Sequence, residues 1–266
     1  MGTEIVNYQA AWAAQAQAEA QREPPSGAAF MSTRGGVLSL GDTPMPGNMV
    51  AVIVLDSVRE NSFYGNQPFN EANPQPPVCY SFSRDNDPAV GPHISMASHP
   101  EYFVPQADTC GACRWNEWGS AERGRGKACQ NRRRLALVPA GFYQARPRSR
   151  DFDLHLFEDA MQIANADTVY LRLPVTSVNE WAKYVQQLAA SVQRPPAGVV
   201  TKIELVPDAK TQFKLTFEAL TMVPDDMAAM VINRCEQERA IPFRGYEPPD
   251  RTAGGQAQSG LASYRR

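Results

Sequence analysis

Three features predict a mainly β protein with added helices, of the α+β class: a continuous β-branched run, two alternating strands joined by a turn, and an amphipathic helix ahead of that pair. The run is Met49-Val-Ala-Val-Ile-Val-Leu55, and its lack of polar alternation suits a strand buried on both faces. In the pair, Thr201, Ile203 and Leu205 alternate with Lys202 and Glu204, while Phe213, Leu215, Phe217 and Ala219 alternate with Lys214, Thr216 and Glu218. With Pro207-Asp208 and Lys210 between them, these read as a hairpin with one wet face.

In chain order, residues 8–22 are mostly Ala and Gln, which propagate helix but supply only Tyr8 and Trp12 as large apolar anchors, so residues 1–29 are expected to form a loosely docked arm. Gly35-Gly36 then opens Val37-Leu38-Ser39-Leu40, and Pro44 to Gly47 turns the chain into the Met49 run. The stretch from Asn66 to Gly126 is rich in Pro, Asn, Gly and Ser, a length of loop that needs an organiser. Strands are expected again at Arg133–Val138 and Thr168–Pro174. Ser177-Val-Asn-Glu180 reads as a capping box for a helix that carries Val178, Trp181, Tyr184, Val185, Leu188 and Val192 on one face and stops at Pro195-Pro196. A last helix starts after Pro224 with Asp225 and Asp226 at its positive end, and Cys235 joins Met227, Met230 and Val231 at helical spacing toward a core. Past Gly245 the composition turns to Pro, Gly, Gln and Ser, so 246–266 is expected to be a disordered tail after a core spanning 30–245. Strands, a helix and a closing hairpin, in that order, match the five-stranded Greek-key barrel of the OB-fold, with an insertion at about 66–134.

That insertion holds four of the five cysteines: Cys79, Cys110, Cys113 and Cys129. A Cys-x2-Cys pair grips one ion from a tight turn, and two further thiolates complete the tetrahedron that zinc prefers, so a structural Zn2+ is expected here. His99 competes with Cys79 for the fourth place; Cys79 is preferred because a thiolate completes the commoner structural set. Such a site would organise the loop.

The formal net charge of −2 conceals an asymmetry. From Arg114 to Arg150, ten basic residues face two acidic ones, a net +8, which leaves −10 on the rest of the chain. A localised basic patch concentrates attraction for polyanions in one place. Within it Trp118 is expected to be exposed beside Arg123, Arg125, Lys127, Arg132, Arg133 and Arg134, while Trp115 builds the mini-core of the cysteine block. Aromatic faces accept stacked bases and cations follow the phosphates.

Other chemistries find less support. Residues 121–128 resemble a phosphate-binding P-loop but fail it twice, with Ala121 in place of the first Gly and Ala128 in place of the magnesium-holding Ser or Thr. His93, His99 and His155 show no spacing with Ser, Cys or Asp that suggests a relay, and no paired-carboxylate site stands out. No apolar run reaches the length of a membrane span, the N-terminus lacks the order of a signal peptide, and metal-bound thiols suit a reducing compartment, so a cytoplasmic protein is expected.

Phe30-Met-Ser-Thr-Arg-Gly-Gly36, Asn61-Ser-Phe-Tyr64, Pro76-Pro-Val-Cys79, and Cys110-x2-Cys113-x2-Asn116-Glu-Trp-Gly-Ser120 with Gly124-x-Gly-Lys-Ala-Cys129 resemble a group of bacteriophage and prophage proteins of largely unassigned function. The cysteine block is also loosely similar in design to the zinc-containing single-strand-binding proteins of the T-even phages, from which the chain departs in ligand spacing and in ending at Arg265-Arg266 where those have an acidic cluster. The resemblance implies a non-catalytic single-stranded DNA-binding protein of phage replication or recombination, working in the host cytoplasm beside phage replication or recombination proteins. Two alternatives stand beside it: a zinc-stabilised protein-interaction or virion-associated scaffold, and a nucleic-acid enzyme whose residues the sequence does not reveal.

Overall fold

The structure, a computed structural model, describes residues 29–65, 75–85, 87–122, 124–241, 243 and 245–248. The Ala/Gln segment and the tail from residue 249 on lie outside the described residues. In chain order the elements are β1 (Ala29–Ser32), β2 (Ser39–Leu40), β3 (Thr43–Pro44), β4 (Met49–Phe63), β5 (Cys79–Ser83), β6 (Gln130–Ala145), β7 (Phe152–Leu156), α1 (Ala160–Asn165), β8 (Val169–Leu173), α2 (Val175–Ser191), β9 (Val199–Asp208), β10 (Gln212–Met222) and α3 (Asp225–Ala240), with short 3₁₀ turns between.

The strands form one mixed sheet in the order β10-β9-β4-β6-β8-β1-β2-β3, with β5 added to β4 and β7 to β6. Among the described residues only β1 and β8 pair in parallel. The α+β class holds, but the sheet keeps two ends, β10 and β3, and does not close into the barrel expected from element order. The reason lies in two long strands. β4 and β6 pair along almost their whole length, from Ala51↔Gly141 to Ser62↔Gln130. The other edge of β4 is shared by β9 at Met49–Ile53 and β5 at Arg59–Phe63, and that of β6 by β8 and β7. The layer therefore widens where a barrel would close.

The Met49–Leu55 run is buried on both faces, as its unbroken hydrophobicity requires. Val52 and Val54 join Leu135, Leu137, Leu171, Ile203 and Leu215 under the Trp181, Tyr184 and Leu188 face of α2. Ala51, Ile53 and Leu55 face the opposite way, with Ala136, Val138 and Val200, against α3 and Ile163 of α1. Each fully buried Leu or Ile contributes about 1.5–3 kcal/mol, so the two cores dominate stability. Arg234 of α3 ties the second layer together by donating to the carbonyls of Ile163, Ala164 and Ala166 at the end of α1, where helical carbonyls lack internal partners.

One expected cap is corrected. α2 begins at Val175 after Pro174, without a side-chain cap, and Ser177 lies inside it. The Ser177 hydroxyl, fully buried, accepts the Leu215 backbone N–H at 2.9 Å. β10 is an edge strand, and its outward N–H groups need partners where the helix covers them.

From Val58↔Arg134 onward the β4–β6 ladder contributes to neither helical core, and apart from Val58 and Phe63 its side chains are polar. On the α3 side Glu60 is completely buried between Arg134 and Arg172. On the α2 side Asn131 donates to Asn61 (2.8 Å), which donates to Ser81 (3.2 Å). This polar half of the sheet positions the candidate site.

Candidate metal centre and basic loop

The four thiols predicted as ligands come together from three parts of the chain. Cys79 opens β5 opposite Phe63, Cys129 stands one residue before β6, and Cys110 and Cys113 belong to the turn before the 3₁₀ segment Arg114–Asn116. All four line one cavity of about 20 Å³, together with Ser81 and Asn116. His99 does not line it. Space of this size admits a single atom such as a water or an ion.

The turn around Cys110 is held by its backbone. Cys110 N–H donates to Val90 (2.8 Å) and Gly111 N–H to Pro88 (2.9 Å), while the Asn116 side chain donates to the Cys110 carbonyl at 2.8 Å. A Cβ on Gly111 would sit 2.6 Å from the Pro88 oxygen, so the Cys-x2-Cys turn needs glycine there. Ser81 Oγ lies 3.1 Å from Cys110 Sγ, and Cys129 N–H donates to the Trp115 carbonyl at 2.8 Å.

Burial, with a smaller push in the same direction from the neighbouring cysteines, raises the Cys79 thiol to about 11 and that of Cys129 to about 12. Four sulfurs that share a small cavity cannot all ionise unless a cation joins them. Among the described residues no set of three or more His, Cys, Asp or Glu side chains stands ready-made for a metal ion. The sulfurs surround the cavity without forming a closed coordination set, and the donor chemistry, four thiols around room for one atom, fits a soft divalent cation.

The loop after Cys113 has a packed root and an exposed tip. Trp115 stacks on Phe63 (centroids 4.8 Å apart, 17° between planes), donates to Gln106 Oε1 at 3.0 Å and carries the Arg114 guanidinium 4.2 Å above its ring. Ser120 closes the loop by accepting Ala128 N–H and donating to the Glu117 carbonyl. Trp118 at the tip is 80% exposed. Lys127 donates to Asn116 Oδ1 and has its ammonium 5.7 Å from the Trp118 ring centre; Arg125 is exposed nearby in sequence, and Arg123 lies outside the described residues.

The arginines at the start of β6 do not act as one patch. Strand alternation sends Arg132 and Arg134 to the α3 side and Arg133 to the α2 side. Arg134 is committed to Glu60: its Nε donates to Glu60 Oε2 at 2.8 Å, and its guanidinium lies 4.5 Å over Phe82. Arg172 Nε approaches Glu60 Oε1 at 2.8 Å as an ion pair without hydrogen-bond alignment, and Tyr246 donates to the same oxygen. Arg134, Arg172 and Tyr246 wall a cavity of about 520 Å³ with Phe30, Tyr170, Phe243 and Glu238. Sequence reasoning missed this cavity, since Arg134, Arg172 and Tyr246 lie far apart along the chain. It also stopped the core at Gly245, whereas Tyr246 is latched to Glu60 and packs on Tyr80.

His93 Nδ1, Ser95 Oγ and Tyr80 OH form a hydrogen-bonded chain (2.8 and 2.7 Å) that spacing did not suggest. It caps the 3₁₀ turn Ile94–Ser98, and the Gly245 backbone lies directly over it: a Cβ there would fall 2.1 Å from Ser95 Oγ.

No protein-family model, no curated protein and no solved structure matches this chain. Among the described residues no helix is long and apolar enough to cross a membrane.

Proposed function

We propose that the protein binds single-stranded nucleic acid, DNA in the first place, without catalysing a reaction, and that a zinc ion held by Cys79, Cys110, Cys113 and Cys129 organises the binding loop. The observation that carries this reading is the exposed Trp118 beside Lys127, at the tip of a loop whose root is anchored by the thiol cavity and the Trp115–Phe63 stack. An indole held in water by a rigid root is a stacking surface, worth about 1–3 kcal/mol per base, and an adjacent ammonium meets the phosphate. The ion would supply structure, joining β5, the Cys-x2-Cys turn and the start of β6. An OB-type barrel is not needed for this; the loop stands at the polar end of an open sheet. A role in phage replication or recombination rests on the sequence resemblance alone, which is most specific in the cysteine block.

The test is a fluorescence titration with single- and double-stranded oligonucleotides at several salt concentrations, alongside metal analysis of protein purified without chelator. The reading expects preference for single strands, strong salt dependence and one zinc per chain. Salt-independent or absent binding by zinc-loaded protein would move the scaffold alternative ahead.

A further inference from the structure

Arg59 of β4 and Arg133 of β6 stand directly opposite each other in the antiparallel ladder, on the α2 side of the sheet. Like charges in that position repel, and the cost rises with burial. Both residues are half-buried, and neither has an ion-pair partner among the described residues. Their neighbours on this face offer no acid: Ser83 pairs with Arg59, Leu173 with Arg133, Ser57 with Leu135 on one side, and Asn61 with Asn131 on the other. Burial and the Arg59 charge together pull the Arg133 pKa below its ordinary value. The other two β6 arginines face the opposite side, where Glu60 neutralises Arg134.

The pair also continues the candidate site. Next along the same face comes the hydrogen-bonded series Asn131, Asn61, Ser81, which ends on Cys110 Sγ. A line of polar donors thus runs from the thiol cavity to the two guanidiniums.

We infer that Arg59 and Arg133 form a two-arginine clamp for a phosphate group. Two guanidiniums present several N–H donors to one tetrahedral anion, and an anion between them converts their repulsion into attraction. The phosphate is a phosphodiester of the bound strand, an assignment that rests on the single-strand reading. Sequence inspection grouped Arg133 with its neighbours and passed over Arg59 altogether.

The test uses Arg59→Gln, Arg133→Gln and the charge-preserving Arg133→Lys in the full chain, with a labelled single-stranded oligonucleotide and inorganic phosphate as probes. Each Gln variant is expected to weaken oligonucleotide binding about tenfold and to reduce the slope of log K against log salt by about 0.7. Arg133→Lys should keep the slope and lose part of the affinity. Phosphate should raise the thermal midpoint of the parent protein above an equal ionic strength of chloride, and the Gln variants should lose that increment. In phosphate-free buffer their midpoints should stay level or rise because repulsion is removed; a purely structural pair would instead leave them less stable. Gln variants that bind the oligonucleotide with parental affinity and slope overturn the clamp while the single-strand reading stands. A parent protein that binds no oligonucleotide sinks that reading, and phosphate then decides alone: an increment lost in the Gln variants keeps a clamp for another phosphate compound, and no increment removes it.

Discussion

Replacing Glu60 by Gln tests the polar half of the fold most directly. The carboxylate is completely buried, ion-paired at 2.8 Å to both Arg134 and Arg172, and accepts a hydrogen bond from Tyr246. The substituted amide would keep the shape and remove the charge, which leaves two largely buried guanidiniums facing each other. Removing one member of a buried charged set costs about 3–5 kcal/mol, because what remains is uncompensated charge. For a chain of this size about 2–4 °C is lost per kcal/mol, so Glu60→Gln should lower the thermal midpoint on the order of 10 °C at neutral pH. Burial alone would push the Glu60 carboxyl up, but Arg172 and Arg134 outweigh it and hold it below its ordinary value of 4.5. A carboxyl depressed on folding contributes stability above its unfolded pKa and loses it as pH falls through the folded one. The parent protein should therefore lose stability below about pH 4.5 more steeply than the variant, and their midpoints should converge toward strong acid. Urea or thermal unfolding followed by circular dichroism across pH reads both effects. A neutral-pH loss of less than about 1 kcal/mol would show that solvent already screens the pair, refuting the argument from burial.

The thiol cavity, the two loop tryptophans and the Tyr246 bond can each be tested in turn. Cys113→Ser should abolish zinc retention and open residues 84–129 to limited proteolysis while the Lys202–Ala219 hairpin stays protected, since its strands pair with each other and, through β9, with β4, and not with the thiol loop. Trp118→Ala should change the unfolding free energy by no more than about 0.5 kcal/mol, yet weaken single-strand binding with an unchanged salt slope; Trp115→Ala, which removes the Phe63 stack, should cost about 1–3 kcal/mol in the same unfolding assay. A chain spanning Ala29 to Pro248 should melt cooperatively, and shortening it to Gly245 should lower stability by about 1.5–3 kcal/mol through loss of the Tyr246 bond to a charged acceptor.

The elements legible in the sequence are those whose burial is written into a local period. Met49–Leu55, the Val178 to Leu188 helical stripe, the alternating 201–219 pair and the acidic start of α3 all appear where expected, because each buries its own regularly spaced apolar residues. The gathering of the four cysteines around one cavity was legible too, since Cys-x2-Cys spacing restricts the backbone. Tertiary structure alone decided the rest. β4 runs on from Asp56 to Phe63 and β6 starts at Gln130, through charged and amide residues that no apolar period marks, because Glu60 meets Arg134 and Arg172, and Asn61 meets Asn131, from 70 or more residues away. β5 was hidden in the Pro- and Asn-rich stretch because its partner strand is the polar end of β4. The opposition of Arg59 and Arg133 is likewise a property of register, which the chain acquires only when two strands pair. Local spacing encodes which residues leave water, whereas the partner that permits a buried charge is chosen by the sheet.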